Sequence, residues 1–134
     1  MPRLEPKASA LTEPFWEATR ERRLVLQWCR PCDAGIHYPR WACPSCLGDD
    51  LEWRQSAGRG SLYSFSIATA SASPMLADLA PVAIALVELD EGVRLVSNVV
   101  DVDLDAIEVG MAVRVRWESM SDGRHFPLFA PDRD

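Results

Sequence analysis

All four cysteines of this 134-residue chain lie in one stretch, CRPCDAGIHYPRWACPSC. They form two Cys-x-x-Cys pairs separated by ten residues, Cys29 with Cys32 and Cys43 with Cys46. Two residues between cysteines allow a tight knuckle that directs both thiolates to one centre, and two facing knuckles complete the tetrahedron that zinc prefers with sulfur. The spacing therefore predicts a zinc ribbon. Because four protein ligands leave no open coordination position, we expect a structural Zn²⁺ and not a catalytic one.

Other uses of the thiols are open but less favoured. Two disulfides would need an oxidising compartment, which nothing in the sequence indicates, and a redox-active pair needs only one Cys-x-x-Cys. Iron in a rubredoxin-like site shares the geometry, but the loop is short for such an electron carrier and Asp33 and Leu47 stand where glycine would follow each knuckle. His37 lies between the pairs. With four thiolates available, we expect it to be a packing or surface residue.

The charge balance argues against nucleic acid and anionic membranes as partners. The formal net charge is −6, lysine occurs once, and residues 61–134 carry five arginines and twelve acidic residues. Nonspecific nucleic-acid affinity comes mainly from cationic side chains that displace counterions, and anionic membranes attract the same groups. The N-terminus lacks the apolar core of a secretory signal, and the longest apolar run, 79–87, is far too short to cross a bilayer. We therefore expect a cytoplasmic protein.

Residues 11–24, LTEPFWEATRERRL, are predicted to form a short helix before the ribbon. Thr12 is a plausible N-cap and Pro14 suits the first turn, where its missing N–H does no harm. Acidic residues come first and three arginines come last, as the helix dipole favours. Phe15 and Trp16 either pack on the ribbon or anchor a partner protein. The following segment LVLQW is predicted to enter the first knuckle as a strand.

After the ribbon, apolar residues alternate with polar ones and turn signals separate the runs. The run at 62–69 sets Leu62 on the opposite face from Phe65, and VAIALVEL at 82–89 is nearly all apolar, as expected of a strand buried on both faces. The turn at 90–92 ends in glycine and predicts a hairpin to VRLVSNVV. Four or five strands with short turns in this length predict a small barrel, most economically an OB-fold.

The predicted fold class is mainly β and has three parts. These are an N-terminal helical segment (1–24), a rubredoxin-like zinc ribbon (25–56) and a small OB-fold barrel (57–134). The segment ASASPMLADLAP, 70–81, fits this plan least, because it is too rich in proline and small residues for a central strand and too apolar for a solvated loop. Its Met75 and Leu76 either cap the open end of the barrel or form an apolar lip that a partner or an acyl chain covers.

The order of motifs resembles a known family across residues 12–129. The series is PFW, LVLQWCRPC, YPRWACPSC, LEWRQSAGRGSLYSFSI, PVAIALVELDEGVRLVSNVV and IEVGMAVRVRWE. It is similar to the acyl-CoA-associated zinc-ribbon/OB-fold proteins, long catalogued as a domain of unknown function. All four metal cysteines match, whereas Asp33 stands where glycine often follows the first knuckle.

The resemblance implies a non-catalytic companion subunit in a hetero-oligomer. Members pair with thiolase-fold enzymes, including thiolases, hydroxymethylglutaryl-CoA synthases and the aldol lyases that shorten steroid side chains. Others are fused or bound to hot-dog-fold enoyl-CoA hydratases. In those assemblies the active-site residues belong to the large partner, and the small subunit braces it and helps to form the acyl-CoA channel.

The residues themselves agree with a non-catalytic role. Every cysteine is committed to metal, His125 has no nucleophile near it in sequence, and the acidic residues at 101–108 read as a solvated turn. We predict that the chain has no catalytic residue of its own. A single-stranded nucleic-acid binder is a weaker alternative, because the barrel carries the wrong charge for the usual basic groove.

Candidate contact residues fall into two groups. Partner contacts are expected at Phe15, Trp16, Met75 and Leu76. Contacts to the phosphates of CoA are expected at Arg40, Arg59 and Arg94. A structural alternative, which we favour, is that Arg40 and Arg59 make hydrogen bonds between ribbon and barrel.

Overall fold

A computed structural model describes residues 4–69 and 81–132 of the chain. The elements in chain order are α1 (Glu13–Thr19), β1 (Val25–Cys29), β2 (Ala34–Ile36), β3 (Leu51–Gln55), β4 (Arg59–Ala68), β5 (Val82–Leu89), β6 (Arg94–Val99), a 3-10 turn (Leu104–Ala106), β7 (Ala112–Ser119) and β8 (His125–Pro131). The predicted fold class is confirmed: an N-terminal helix, a ribbon with four clustered cysteines and a closed five-stranded barrel. Met75 and Leu76 lie outside the described residues. Within the described ranges, no helix has the length and apolar character to span a membrane.

Helix α1 is shorter than the sequence predicts. It ends at Thr19, so its last turn contains no arginine; Arg20 is the C-cap residue, and Arg22 and Arg23 lie beyond it. Thr12 occupies the N-cap position but makes no side-chain capping bond. Its hydroxyl instead accepts a hydrogen bond from the backbone N–H of Ser9 at 2.9 Å. The buried face of α1 consists of Phe15, Ala18 and Thr19, and these side chains fix the helix against the rest of the molecule.

The ribbon is a three-stranded antiparallel sheet in the order β2-β1-β3. Gln27 in the central strand lies opposite both Ile36 and Trp53. Strand β1 is almost entirely buried because Leu26 packs in the main core and Cys29 packs with Ile36 and Cys43. The first knuckle begins where β1 ends, at Cys29.

The barrel closes in the order β4-β5-β6-β8-β7. Leu62, Val87 and Phe129 are among its fully buried side chains. Strands β5 and β6 form the predicted hairpin, and Gly92 adopts a φ of 88° in its turn, which glycine accepts without strain. Strand β8 was not predicted. It supplies the fifth strand and pairs with β7 along its whole length.

A β-bulge corrects the predicted faces of β4. The register with β5 shifts between Leu62 and Ser64, so one extra residue, Tyr63, stands in β4. A bulge reverses the facing of every residue after it. Leu62 and Phe65 therefore contact the same core, although strict alternation places them on opposite faces.

Strand β5 is buried on one face only, which corrects the prediction that both faces are buried. Ala83, Ala85 and Val87 point into the barrel and are buried. Ile84, on the outer face, is 44% exposed, and so is Val96 at 55% on the neighbouring strand β6. The barrel thus carries an apolar outer face that the described residues do not cover.

The hairpin between β5 and β6 joins the barrel to the ribbon. Gly35 of β2 packs directly on Val93, and a Cβ added to this glycine would overlap the Val93 side chain. The Glu91 carboxylate accepts hydrogen bonds from the Ser56 hydroxyl at 2.7 Å and from the Ala57 backbone N–H at 2.9 Å. Ribbon, linker and barrel are therefore held together at one hairpin.

Candidate functional site

The four cysteine sulfurs lie within 4.8 Å of one another. The Sγ atoms of Cys29 and Cys46 are 3.7 Å apart, and those of Cys32 and Cys43 are 3.9 Å apart. A tetrahedral zinc with Zn–S bonds near 2.3 Å requires sulfur–sulfur separations of about 3.8 Å. The donor set and its spacing therefore fit a structural Zn²⁺ held by four thiolates.

Backbone N–H groups near Cys43 favour the thiolate form of this one cysteine. Backbone N–H groups of Cys46 and Ser45 lower the pKa of Cys43 to about 6. The Ser45 N–H lies 3.4 Å from the Cys43 sulfur. A low thiol pKa suits a metal ligand, because only the thiolate binds zinc.

Both residues that stand in the usual glycine positions adopt left-handed backbone. Asp33 has a φ of 50° and Leu47 a φ of 63°. Both knuckles thus have the left-handed conformation that favours glycine, although neither has glycine there. The Leu47 side chain is 79% exposed. The missing glycines do not disrupt the site.

His37 is a packing residue and not a member of the cysteine cluster. Its ring lies 6.2 Å from the Phe15 ring and 4.2 Å from the Tyr38 ring, measured between centroids. Burial lowers the pKa of His37 to about 4. The side chain is therefore neutral near pH 7.

The two aromatic residues of α1 have different environments. Phe15 is buried in the main core. Trp16 is only partly buried, with the Phe15 ring edge-on at 5.1 Å and the Arg124 guanidinium 5.4 Å from its ring centre. Part of the Trp16 surface is therefore accessible, whereas Phe15 is almost fully buried.

The three arginines predicted to contact CoA lie on different elements. Arg40 follows the loop after β2, and its backbone N–H and carbonyl both bond to the Gln27 side chain, at 2.7 and 2.8 Å. Arg59 lies 3.7 Å from Asp132. Arg94 bonds to Glu88 at 2.8 Å and its guanidinium covers the Tyr63 ring at 3.8 Å.

Only Arg40 among these three has a side chain without an ion pair in the described part of the chain. Its backbone bonds stay within the ribbon, and the Arg59 carbonyl accepts from Asp90 within the barrel. The hydrogen bonds between linker and barrel come instead from the Glu91 carboxylate and from the Val115 backbone N–H, which donates to the Gly58 carbonyl at 2.7 Å. The Arg40 backbone therefore makes structural hydrogen bonds, but these bonds do not join the ribbon to the barrel.

A cleft of about 450 Å³ opens where β6 and β8 diverge, and sequence reasoning missed it. The two strands are in register at one pair only, Val99 with Phe129. Pro127 has no N–H to offer, and its carbonyl accepts instead from the Ser97 hydroxyl at 2.7 Å. We call this space the seam cleft. Helix α1, the ribbon loop 37–39 and the outer face of the barrel wall it in.

The walls of the seam cleft are mostly apolar. They include Phe15, Trp16 and Tyr38 on one side and Ile84 and Val96 on the other. No described residue that lines it carries a formal charge at pH 7. The sequence signal for this cleft was strand 82–89, which is apolar on both faces. The prediction placed both faces in the interior, whereas the outer face lines the cleft.

Two family matches cover residues 16–118 of the chain. Residues 16–52 match the rubredoxin-like zinc ribbon domain of ChsH2, and residues 53–118 match the C-terminal OB-fold domain of ChsH2. The chain belongs to the ChsH2 family. The zinc ribbon predicted from cysteine spacing is thereby confirmed, and so is the family to which the sequence motifs pointed.

Curated relatives within this family differ in length from the chain. A probable enoyl-CoA hydratase alpha subunit from Thermomonospora curvata is 40% identical over 118 residues, which are 87% of this chain but 36% of that protein. The chain thus spans about a third of that relative. A DUF35 domain-containing scaffold protein from Methanothermobacter thermautotrophicus is 35% identical over 95 residues, covering 70% of this chain and 71% of the relative.

A solved relative matches the ChsH2-family chain over nearly its entire length. It belongs to the Ltp2-ChsH2(DUF35) aldolase, with 36% sequence identity and a TM-score of 0.84. The match covers 95% of this chain and 98% of that one.

Proposed function

We propose that this chain is a non-catalytic accessory subunit that binds and stabilises a thiolase-fold acyl-CoA enzyme, either a thiolase or a retro-aldol lyase. The observation that carries the proposal is the match to a chain of the Ltp2-ChsH2(DUF35) aldolase, which is almost complete in both directions. Steroid side chains are one class of acyl group that such a lyase would shorten. The complex would be a cytoplasmic hetero-oligomer.

The fold supports a bracing role because its parts are fixed to one another. The His125 backbone N–H donates to the Thr19 hydroxyl at 3.1 Å, which ties α1 to β8. Glu91 holds the linker, and a zinc ion bound by the four thiolates would hold the knuckles. A rigid subunit loses little conformational entropy when it binds, so more of its contact energy contributes to affinity.

The ribbon carries the surface best suited to a protein partner. Tyr38 is 61% exposed and Trp41 is 72% exposed, and exposed Leu47 lies on the same ribbon. Aromatic residues are enriched at the centres of protein interfaces. We assign partner contacts to this surface together with Trp16, and we keep Met75 and Leu76 as further candidates.

The described chemistry of the chain favours catalysis by the partner. The thiols serve the metal, and the buried His125 ring has its Nδ1 atom 2.7 Å from the Thr19 carbonyl. These assignments give structural roles to the side chains that most often act as nucleophiles and bases. The reaction would therefore use residues of the larger subunit.

A hot-dog-fold enoyl-CoA hydratase is the second candidate partner. The 40% identical Thermomonospora curvata relative carries the name of a hydratase alpha subunit, which favours this alternative specifically. Both candidates assign the same non-catalytic role to this chain. Only the identity of the partner separates them.

Co-expression with each candidate catalytic subunit tests the proposal. We expect one of them to co-purify with this chain at a fixed stoichiometry, measured by native mass spectrometry. Trp16→Ala should weaken that complex more than it lowers the melting temperature of the isolated chain, and Trp117→Ala in the barrel provides a matched control. A chain that remains monomeric beside both catalytic subunits would contradict the proposal.

A further inference from the structure

Gln27 is a buried polar residue in the central strand of the ribbon. Its side chain amide needs hydrogen-bond partners, because the residue is only 5% exposed and an unpaired buried amide is costly. Arg40 supplies both partners with its backbone. The Gln27 Nε2 atom donates to the Arg40 carbonyl at 2.8 Å, and the Oε1 atom accepts from the Arg40 N–H at 2.7 Å. Gln27 thus holds residue 40 as the peptide group of a neighbouring strand would.

This contact supplies the hydrogen bonds to the backbone of the loop at 37–42. Among the described residues, none forms a backbone–backbone hydrogen bond with this loop, and Pro39 has no N–H to donate. Strand β1, in contrast, is held by hydrogen-bonded pairing with both β2 and β3. Loss of the Gln27 amide should therefore loosen the loop and leave the sheet in place.

The loop carries two of the exposed aromatic residues that we assign to partner contacts. Tyr38 is 61% exposed and Trp41 is 72% exposed, and they stand on either side of Arg40 in the chain. A mobile side chain loses conformational entropy when it binds, whereas a side chain on a fixed backbone loses less. Holding residue 40 should therefore increase the affinity of the loop for a partner protein.

We propose that Gln27 is a positioning residue for partner binding. Its amide fixes Arg40, and the fixed backbone at residue 40 sets the positions of Tyr38 and Trp41. This inference rests on the proposed function for the existence of a partner, and on the two hydrogen bonds for the positioning. Because Gln27 is buried, it acts through the loop and not by direct contact with the partner.

A purely stabilising role for Gln27 would have different consequences. If the amide contributed only to the free energy of unfolding, its loss would weaken the complex equally whatever residue stood at position 41. A positioning role makes the effect on the complex depend on Trp41, because that ring is one of the groups whose position is set. Combined changes at positions 27 and 41 therefore separate the two roles.

Gln27→Met tests the inference, because methionine has a similar length and offers no N–H donor and only a weak sulfur acceptor. In the zinc-loaded chain, exchange of the Arg40 amide hydrogen, followed by NMR, should accelerate by about tenfold or more while β1 and β3 stay protected. Affinity for the catalytic subunit, measured by biolayer interferometry, should fall by about tenfold. Gln55→Met, the same change at an exposed glutamine of β3, is the matched control and should alter neither measurement.

A double-mutant cycle with Trp41→Ala supplies the readout that a purely stabilising role would not move. In the Trp41→Ala background, Gln27→Met should lower partner affinity by less than about threefold, because one of the groups that it positions is absent. An equal loss of affinity in both backgrounds would overturn the inference. Gln27→Glu keeps an acceptor for the Arg40 N–H but lacks the Nε2 donor, and it is the second variant if Gln27→Met does not fold or does not hold zinc.

The outcomes separate this inference from the proposed function. A heteromer of wild-type affinity in Gln27→Met, with rapid exchange at Arg40, would contradict only the positioning role. A wild-type chain that binds neither candidate catalytic subunit would contradict the proposed function, and the positioning role with it.

Discussion

At the scale of single residues, burial changes the acid–base chemistry of His37. It lies between the rings of Phe15 and Tyr38, and burial lowers its pKa from 6.5 to about 4. In the unfolded chain the same imidazole takes up a proton near pH 6.5. The folded state therefore holds His37 in its neutral form over a pH range in which the unfolded state is charged.

Acid should therefore destabilise the fold through His37. Between about pH 6.5 and pH 4 the unfolded state binds one more proton than the folded state, so the free energy of unfolding falls as the pH falls. The contribution of neutral His37 to the free energy of unfolding is fully present above about pH 6.5 and is lost as the pH falls to about 4. It amounts to at most about 3 kcal/mol. Urea denaturation at several pH values checks it, with zinc content measured in parallel.

His37→Gln is the matched control because glutamine does not titrate. The variant should have a flatter pH dependence than wild type between pH 4 and pH 6.5. Parallel curves for the two proteins would show that His37 contributes nothing to the acid sensitivity.

Some features of single residues could be predicted from the sequence and others could not. The four cysteines were predicted because zinc fixes both the number of ligands and their spacing. The left-handed backbone at Asp33 and Leu47 was not predicted, because local propensity points elsewhere and metal binding overrides it. The bulge at Tyr63 has no signal in the alternating pattern, since it depends on the register with β5.

At the scale of elements, the ribbon and barrel meet where β2 crosses the β5–β6 hairpin. Gly35 lacks a side chain there because Val93 occupies the space, and the Trp28 ring would lie 3.2 Å from an added Cβ. Gly35→Ala should therefore destabilise the chain by about 1–3 kcal/mol through overpacking. Equilibrium denaturation measures the effect.

A double-mutant cycle supplies the control for Gly35→Ala. Val93→Ala removes the methyl groups that a new Cβ would overlap, so the cost of Gly35→Ala should be smaller in that background. An equal cost in both backgrounds would mean that the contact with Val93 does not explain the glycine.

Most elements with a local sequence signal were predicted. The α1 segment has a helical pattern, β4 alternates, β5 is a nearly all-apolar run, and β1 was predicted from its place before the first knuckle. Strand β8 contains Pro127 and Pro131 and has no regular alternation of buried residues. It forms because β7 offers it a continuous edge, and that long-range pairing is invisible in the segment itself.

At the scale of the whole molecule, the two cores differ in what holds them. The main core draws on α1, β1 and the barrel strands, whereas the knuckle core consists of Cys29, Ile36 and Cys43 with Leu51 packed against it. So few apolar groups provide little hydrophobic stabilisation. Zinc therefore supplies most of the folding free energy of the knuckles, on the order of 10 kcal/mol.

Cys29→Ser should release zinc and expose the knuckles while the barrel stays folded. Hydrogen exchange should show protection lost at 29–48 and retained across β4–β8, and elemental analysis should show less than one zinc per chain. Ser45→Ala, between two of the same cysteines, is the control and should keep the metal. A Cys29→Ser variant with full zinc and unchanged exchange would contradict the four-thiolate site.

Our central proposal is that the molecule as a whole braces a separate catalytic subunit, and turnover measurements test it most directly. Acyl-CoA turnover should be compared for this chain alone, the catalytic subunit alone and the reconstituted pair. We predict no turnover by this chain, weak or short-lived turnover by the catalytic subunit, and full, lasting turnover by the pair. Turnover by this chain in isolation, or equal activity of the catalytic subunit without it, would contradict the account.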